Sequence, residues 1–264
     1  MAARLGTACD RDIWGVLPGR NSRRRMIVGV PASGWGPSAN EHGSGVAVLL
    51  ALARHYARLP RSERPLTLRF LVTSGTELGS LGVSMLIDKR PHLFSSADAY
   101  VHLGSGIGAP TLVENSDGSI SVSAEPEPSG SLYNSENDLL DPVPGLFARA
   151  GALVRSTPPH SLLLGEQQYA YHAGVPMVSF TGGNLFHHSA GDRPRWVDPA
   201  LLAAEASGFR RSIDMIGSLA PGALRAGNAQ AAAYGDALIP NPVPGQTVSP
   251  NATASEPRPV RRCR

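Results

Sequence analysis

The chain has 264 residues, 42% of them hydrophobic and 17% charged, enough apolar material for one sizeable core and a tail but not for two obvious domains. A formal charge of +3, scattered apart from Arg23, Arg24, Arg25 and the terminal Arg261, Arg262 and Arg264, excludes a nucleic-acid-binding surface. No stretch approaches the roughly 18 apolar residues of a membrane span, and Cys9 and Cys263, at opposite extremes, exclude a cysteine-built metal site and argue against a stabilising disulfide.

Residues 1–12 read as an N-terminal extension without the apolar core of a signal peptide, so the chain as written is expected to be cytoplasmic. Ile13 to Leu17 and Met26 to Pro31 are short β-rich runs separated by the turn signal Pro18-Gly19, and they read as adjacent strands. Val46, Leu49, Leu50, Ala53 and Ala57 then recur at helical spacing and stop before Pro60. Leu66 to Thr73 is almost continuously apolar, as in the middle of a sheet covered on both faces. Further along come a helix over Leu78 to Asp88, a strand over Ala99 to Leu103 and a weak strand over Ile120 to Ala124. A helix over Val143 to Val154, a strand over Pro176 to Phe180 and a long helix over Pro199 to Leu219 complete the pattern. Strands alternating with helices predict an α/β domain over residues 13–220, a three-layer α/β/α sandwich with a mostly parallel sheet. From Pro221 to Arg264 the composition turns to Ala, Pro, Gly, Ser and Asn without periodicity, which predicts a disordered tail.

In an open α/β sheet, ligands bind beyond the carboxyl ends of the strands, so the loops after Val30, Thr73, Leu103 and Phe180 should meet at one site. They carry Asn40-Glu41-His42, Ser74-Gly75-Thr76-Glu77, Gly104-Ser105-Gly106 and Phe186-His187-His188. The glycines from Gly104 to Gly108 could form a phosphate loop, but no helix signal follows, and a flexible post-strand loop is the simpler reading. No Gly-x-Ser-x-Gly elbow occurs, so a serine hydrolase has no nucleophile here. His187 and His188 are neighbours in a loop, and such pairs rarely point at one ion. Trp35 and Trp196 are expected to do no more than cover the sheet edge.

Four segments in register with these strands carry a resemblance. They are Ala39-Asn40-Glu41-His42-Gly43-Ser44-Gly45, Thr76-Glu77-Leu78-Gly79-Ser80-Leu81-Gly82, the run from Glu166 to Pro176, and the run from His188 to Pro199. Together they resemble the zinc-dependent aminopeptidase family that also includes glutaminyl cyclases and the transferrin receptor, from about Ile13 to Leu219. The family's patterns are His-x-Asp, Ala-x-Asp-Asn-x-Ser-Gly, Glu-Glu-Leu-Gly-x-x-Gly and a late His with downstream acids. The resemblance implies that Glu41, Glu77 and His188 hold a single zinc ion, two carboxylates and an imidazole being the set that catalytic zinc uses. It also implies a peptide or small amide substrate, or a protein partner, frequent export in the family, and a further element upstream of Ile13.

The departures bear on activity. Pro31-Ala32-Ser33 stands where the family has His-x-Asp, and Gly104 where it has an Asp, so a second metal loses its own ligands. Thr76 stands at the general-base position and is expected to be inactive as a base, a loss that typically costs about 10² to 10⁴ in rate. Candidates to replace it are His42, His187 and Glu166, while Glu166 or Asp192 could orient a ligand. The expectation is a degenerate metallo-aminopeptidase-like protein, at best a weak one-zinc hydrolase or amide-processing enzyme on peptide N-termini. The alternative is a non-catalytic peptide- or protein-binding domain.

Overall fold

The computed structural model describes residues 11–135, 137–157 and 163–226. Its centre is a seven-stranded sheet. In chain order the strands are β1 (Ile13–Leu17), β2 (Arg25–Pro31), β3 (Thr67–Thr73), β4 (Ala99–Leu103), β7 (Ser131–Asn134), β8 (Arg155–Ser156) and β9 (Met177–Thr181). Two more strands, β5 (Pro110–Glu114) and β6 (Ile120–Pro126), form a separate antiparallel hairpin. The sheet order is β1-β3-β2-β4-β9-β7-β8, with β3, β2, β4 and β9 mutually parallel. Their carboxyl ends therefore share one edge.

The helices are α1 (Ser44–Arg58), α2 (Leu81–Lys89), α3 (Pro91–Ser95), α4 (Val143–Ala148), α5 (Gln167–His172), α6 (Pro199–Ser218) and α7 (Ala223–Ala226). Side chains alternate across a strand, and the two faces of the sheet bury separate cores. Met26, Val28, Val30, Val101 and Leu103 pack beneath α1, α4 and α6, while Ile27, Leu71, Tyr100 and Met177 pack beneath α2, α3 and α5. This is the three-layer α/β/α sandwich. At Gly208, in the middle of α6, a Cβ would come within 2.5 Å of the Phe147 ring, so the missing side chain is what lets Phe147 stack edge-on against Phe209. Asp198 caps α6, accepting from the backbone amides of Ala200 and Leu201 at 2.8 Å each, and Pro199 fills the first helical position.

Several expectations change. β1 pairs antiparallel with β3 rather than with β2, and forms an exposed edge; the turn at Pro18-Gly19 carries the chain past one strand position. Gly19 packs against the Leu66 backbone, where a Cβ would lie 2.2 Å from the carbonyl carbon. The helix expected over Leu78 to Asp88 starts at Leu81, after a 3₁₀ turn over Thr76–Leu78 bounded by left-handed Gly75 and Gly79. The helix expected over Val143 to Val154 ends at Ala148, because the chain reverses at left-handed Gly151. The packed structure passes Pro221: Leu224 is buried, and the Arg225 guanidinium donates to the carbonyls of Phe94 and Ala97. The rest of the expected tail, 227–264, lies outside the described residues, as do Cys9 and Cys263. No helix among the described residues is long and apolar enough to cross a membrane.

Candidate functional site

The loops after β2, β3, β4 and β9 meet at the carboxyl edge, around a cavity of about 820 Å³. After β2 the chain runs to left-handed Ser38 and then makes one π-helical turn, Ala39–Gly43, before α1. This turn buries Asn40, Glu41 and His42 together. The backbone amides at its start have no partner within the helix, and the buried Asp192 carboxylate takes them, accepting from Asn40 N at 3.0 Å and Glu41 N at 2.8 Å. Asp192 thus holds the turn that carries Glu41. Ser38 Oγ donates to Glu41 Oε2 at 2.7 Å, which leaves Oε1 on the side of His188.

Two of the three sequence-derived ligands, Glu41 and Glu77, come together with His42, and His188 stands beside Glu41. His188 Nε2 stands 3.2 Å from Glu41 Oε1, without the alignment of a hydrogen bond; its ring is 56% exposed while Glu41 is almost wholly buried. Glu77 projects from the 3₁₀ turn after β3, and His42 Nδ1 lies 3.7 Å from its Oε1. Ligand atoms of Glu41, His42 and Glu77 all lie within 4.8 Å of one another. Among the described residues, neither Glu41 Oε1 nor Glu77 Oε1 has a hydrogen-bond partner, although both atoms are buried. Two facing carboxylates left so would repel, and an unpartnered buried charge is costly. A cation resolves both problems. Carboxylates with a nearby imidazole are a donor set that zinc would accept.

His42 is the residue whose place the sequence reading missed, having been weighed only as a substitute base. Successive helical residues diverge in direction, so its adjacency to Glu41 said little, and only the π-helical turn makes both face inward. Its Nδ1 also meets the Ser33 carbonyl oxygen at close range, which ties the ring to the loop after β2. His188 has no such competing bond, and its ring stacks on His187 with centroids 4.0 Å apart. The two histidines both line the cavity, and neither belongs to the cluster of Glu41, His42 and Glu77. His188 adopts a left-handed φ of 61°, a strain that turns its ring back over its neighbour. Trp196 stacks on Phe186 at 5.2 Å and props this loop, whereas the exposed Trp35 lines the cavity.

Thr76 does not stand free. Its Oγ1 donates to Glu166 Oε1 at 2.8 Å, while Thr73 Oγ1 donates to Glu166 Oε2 at 2.5 Å. Burial pushes the Glu166 carboxyl up to about 7, against the two hydroxyl bonds that pull it down. His102 lies on the same sheet face, its Nδ1 against Ser179 Oγ at 2.8 Å; burial, and then the nearby His42, push it down to about 3, so it is neutral. Burial, then His188, also lowers His187.

The positions that depart from the family's pattern are closed. Ser33 is occupied in holding Thr76, whose backbone amide donates to Ser33 Oγ at 3.0 Å. Gly104 N donates to the Phe180 carbonyl at 3.0 Å, and a Cβ on Gly104 would lie 2.4 Å from that same oxygen. The donors gathered in one place are those of Glu41, His42 and Glu77, a set that fits a cation.

Fold comparison places this arrangement. The chain has the fold of the zinc aminopeptidases. It superposes on a peptidase M28 precursor from Shewanella amazonensis with a TM-score of 0.60 at 19% identity, covering 79% of this chain and 45% of the other. A zinc aminopeptidase from Bacillus subtilis gives 0.56 at 17% identity, covering 76% and 48%. The gamma-secretase component nicastrin gives 0.57 at 13% identity, covering 78% and 43%. The chain therefore spans about half the length of the structures it matches. No protein-family model and no curated protein matches the sequence.

Proposed function

We propose that this chain is a degenerate metallo-aminopeptidase-type protein that holds one zinc ion with Glu41, Glu77 and His188 and acts weakly on peptide N-termini or small amides. The observation that carries this reading is the pair of buried, unpartnered oxygens, Glu41 Oε1 and Glu77 Oε1, beside two imidazoles. A zinc ion supplies Lewis-acid polarisation of a carbonyl oxygen. The chain's own residues do the rest. Asp192 and Ser38 hold Glu41 in place through the turn amides and Oε2. Thr76 cannot serve as a base alone, but its hydroxyl can take a proton at Oγ1 while passing its own to Glu166 Oε1. Glu166, with its carboxyl near 7, is the proton acceptor in this relay and works only when ionised.

Protein purified without chelator should contain about one zinc per chain, and Glu77→Ala should lose it. Any zinc-dependent aminoacyl hydrolysis should rise as the pH passes upward through about 7, where Glu166 becomes ionised. A rate flat across that range counts against Glu166, and metal-free protein with no zinc affinity sinks the reading.

A second reading, a non-catalytic binding domain, is favoured by one observation: Pro31, Ser33 and Gly104 fill the other half of the site with packed backbone. The fold's occurrence in nicastrin, a component of gamma-secretase, is compatible with it. Peptide binding that is indifferent to zinc would select this second reading.

A further inference from the structure

The cavity is larger than a metal cluster needs and falls within the usual range for small-ligand sites, about 300 to 1,000 Å³. It runs from His42, Glu77 and His188 to a second wall built by the segment between β6 and β7. Leu112, Leu163, Leu164 and Leu185 supply apolar surface along it. None of the described residues lining it is lysine or arginine. The distant wall carries one carboxylate, Glu127.

Glu127 is held in place and underused. Its backbone amide donates to the Ala109 carbonyl at 3.0 Å, and its carbonyl accepts from Gly130 N at 3.0 Å. Ser129, the next residue but one, accepts from Gly183 N at 3.1 Å, which ties this wall to the loop after β9. Among the described residues the Glu127 carboxylate accepts only two long bonds, from Ser129 N at 3.4 Å and Ser129 Oγ at 3.3 Å. It forms no ion pair among the described residues; Arg155 lines an adjoining cavity that shares Glu127 but lies outside ion-pair distance. A half-buried carboxylate in this condition has acceptor capacity to spare.

We infer that Glu127 is a specificity-determining residue, selecting ligands whose N-terminal residue carries a cationic side chain, lysine or arginine. The long stem of such a side chain would lie along the leucines while its head reaches the carboxylate, a division these side chains readily accept. Anionic side chains would face Glu127 with no lysine or arginine among the described lining residues to offset it. The inference rests on the proposed reading in one respect, that the peptide amino terminus is seated at the Glu41, Glu77 and His188 end.

The test titrates the full chain, with and without one equivalent of zinc, against the peptides Arg-Ala-Ala, Leu-Ala-Ala and Glu-Ala-Ala and the acetylated form of the first. Calorimetry should rank them Arg, Leu, Glu, with Arg over Leu by about tenfold, the gain of a charge-assisted hydrogen bond in a half-buried site. Glu127→Gln should bring Arg to within about twofold of Leu and leave Leu-Ala-Ala unchanged. Equal affinity for the Arg and Leu peptides in the native chain, or an Arg preference that survives Glu127→Gln, overturns the inference. Binding of none of the peptides overturns it as well. Should the acetylated Arg peptide bind as well as the free one while depending on Glu127, the inference stands and the seating of the amino terminus fails.

Discussion

Two halves of the same strand-end site have fared differently. In one, Glu41, Glu77 and His188 keep their donor atoms, and Asp192 and Ser38 spend their own hydrogen bonds to position Glu41. In the other, Pro31 and Gly104 offer no side-chain donor, and packed backbone stands there: Gly104 sits against the Phe180 carbonyl and Ser33 Oγ accepts from the Thr76 amide. The contrast teaches that a position without a donor is not an empty one. Packed interiors leave few voids, so neighbours occupy the space that a larger side chain there would need.

The largest effect should come from the retained half. Thr76→Glu places a carboxylate where the family has its base, but it also places it beside Glu166, and two such groups would share one proton. Combined with Glu166→Gln, whose amide can hydrogen-bond the new carboxylate, it should raise a zinc-dependent rate by about 10² or more, as a general base does. Steady-state kinetics decide this, and Glu77→Ala in the same background should cancel the gain. An unchanged rate in the double variant would show that proton transfer was never the missing step.

A smaller effect concerns support. Asp192→Asn keeps the shape but weakens the acceptor for the Asn40 and Glu41 amides, and should cost roughly 10- to 100-fold in zinc affinity. Zinc titration by competition with a chelating dye measures it. Unaltered affinity would mean that Glu41 is held by Ser38 and packing alone.

The smallest effect tests the closed half. Gly104→Asp restores the family's residue type yet should bring no second metal, and should destabilise the fold by about 1 to 3 kcal/mol, because its Cβ must displace the Phe180 carbonyl. A denaturant midpoint and a metal count check both points. A stable variant that binds two ions would erase the distinction between the halves.

Much of the fold was legible in the chain because its signals are local. Apolar runs at Met26 to Pro31 and Leu66 to Thr73, helical spacing from Val46 and the stop at Pro60 each lie within one element. The short strands β5, β7 and β8 and the helices α3 and α5 were not, since segments of 2 to 6 residues carry too little periodicity to read. The partner of β1 was misread for a different reason: pairing is settled by which sheet edge remains free, and Ile13 to Leu17 look the same beside β2 or β3.

For the site, the sequence by itself determined the residue types and their order: Glu41 before a helix, Glu77 after a buried strand, His188 after the last one, and no donor at Pro31 or Gly104. Tertiary structure decided what those residues do to one another. The bond from Thr76 to Glu166 spans 90 residues of chain, and those from Asn40 and Glu41 to Asp192 span about 150. His42 joins Glu41 only through a π-helical turn, and Glu127 reaches the cavity wall only because the loop before β7 packs against the end of β9. Composition and spacing report which groups are available and which surfaces must be buried. Whether a given carboxylate is paired, orphaned or raised toward neutrality depends on which distant groups and how much solvent surround it, and folding alone fixes that.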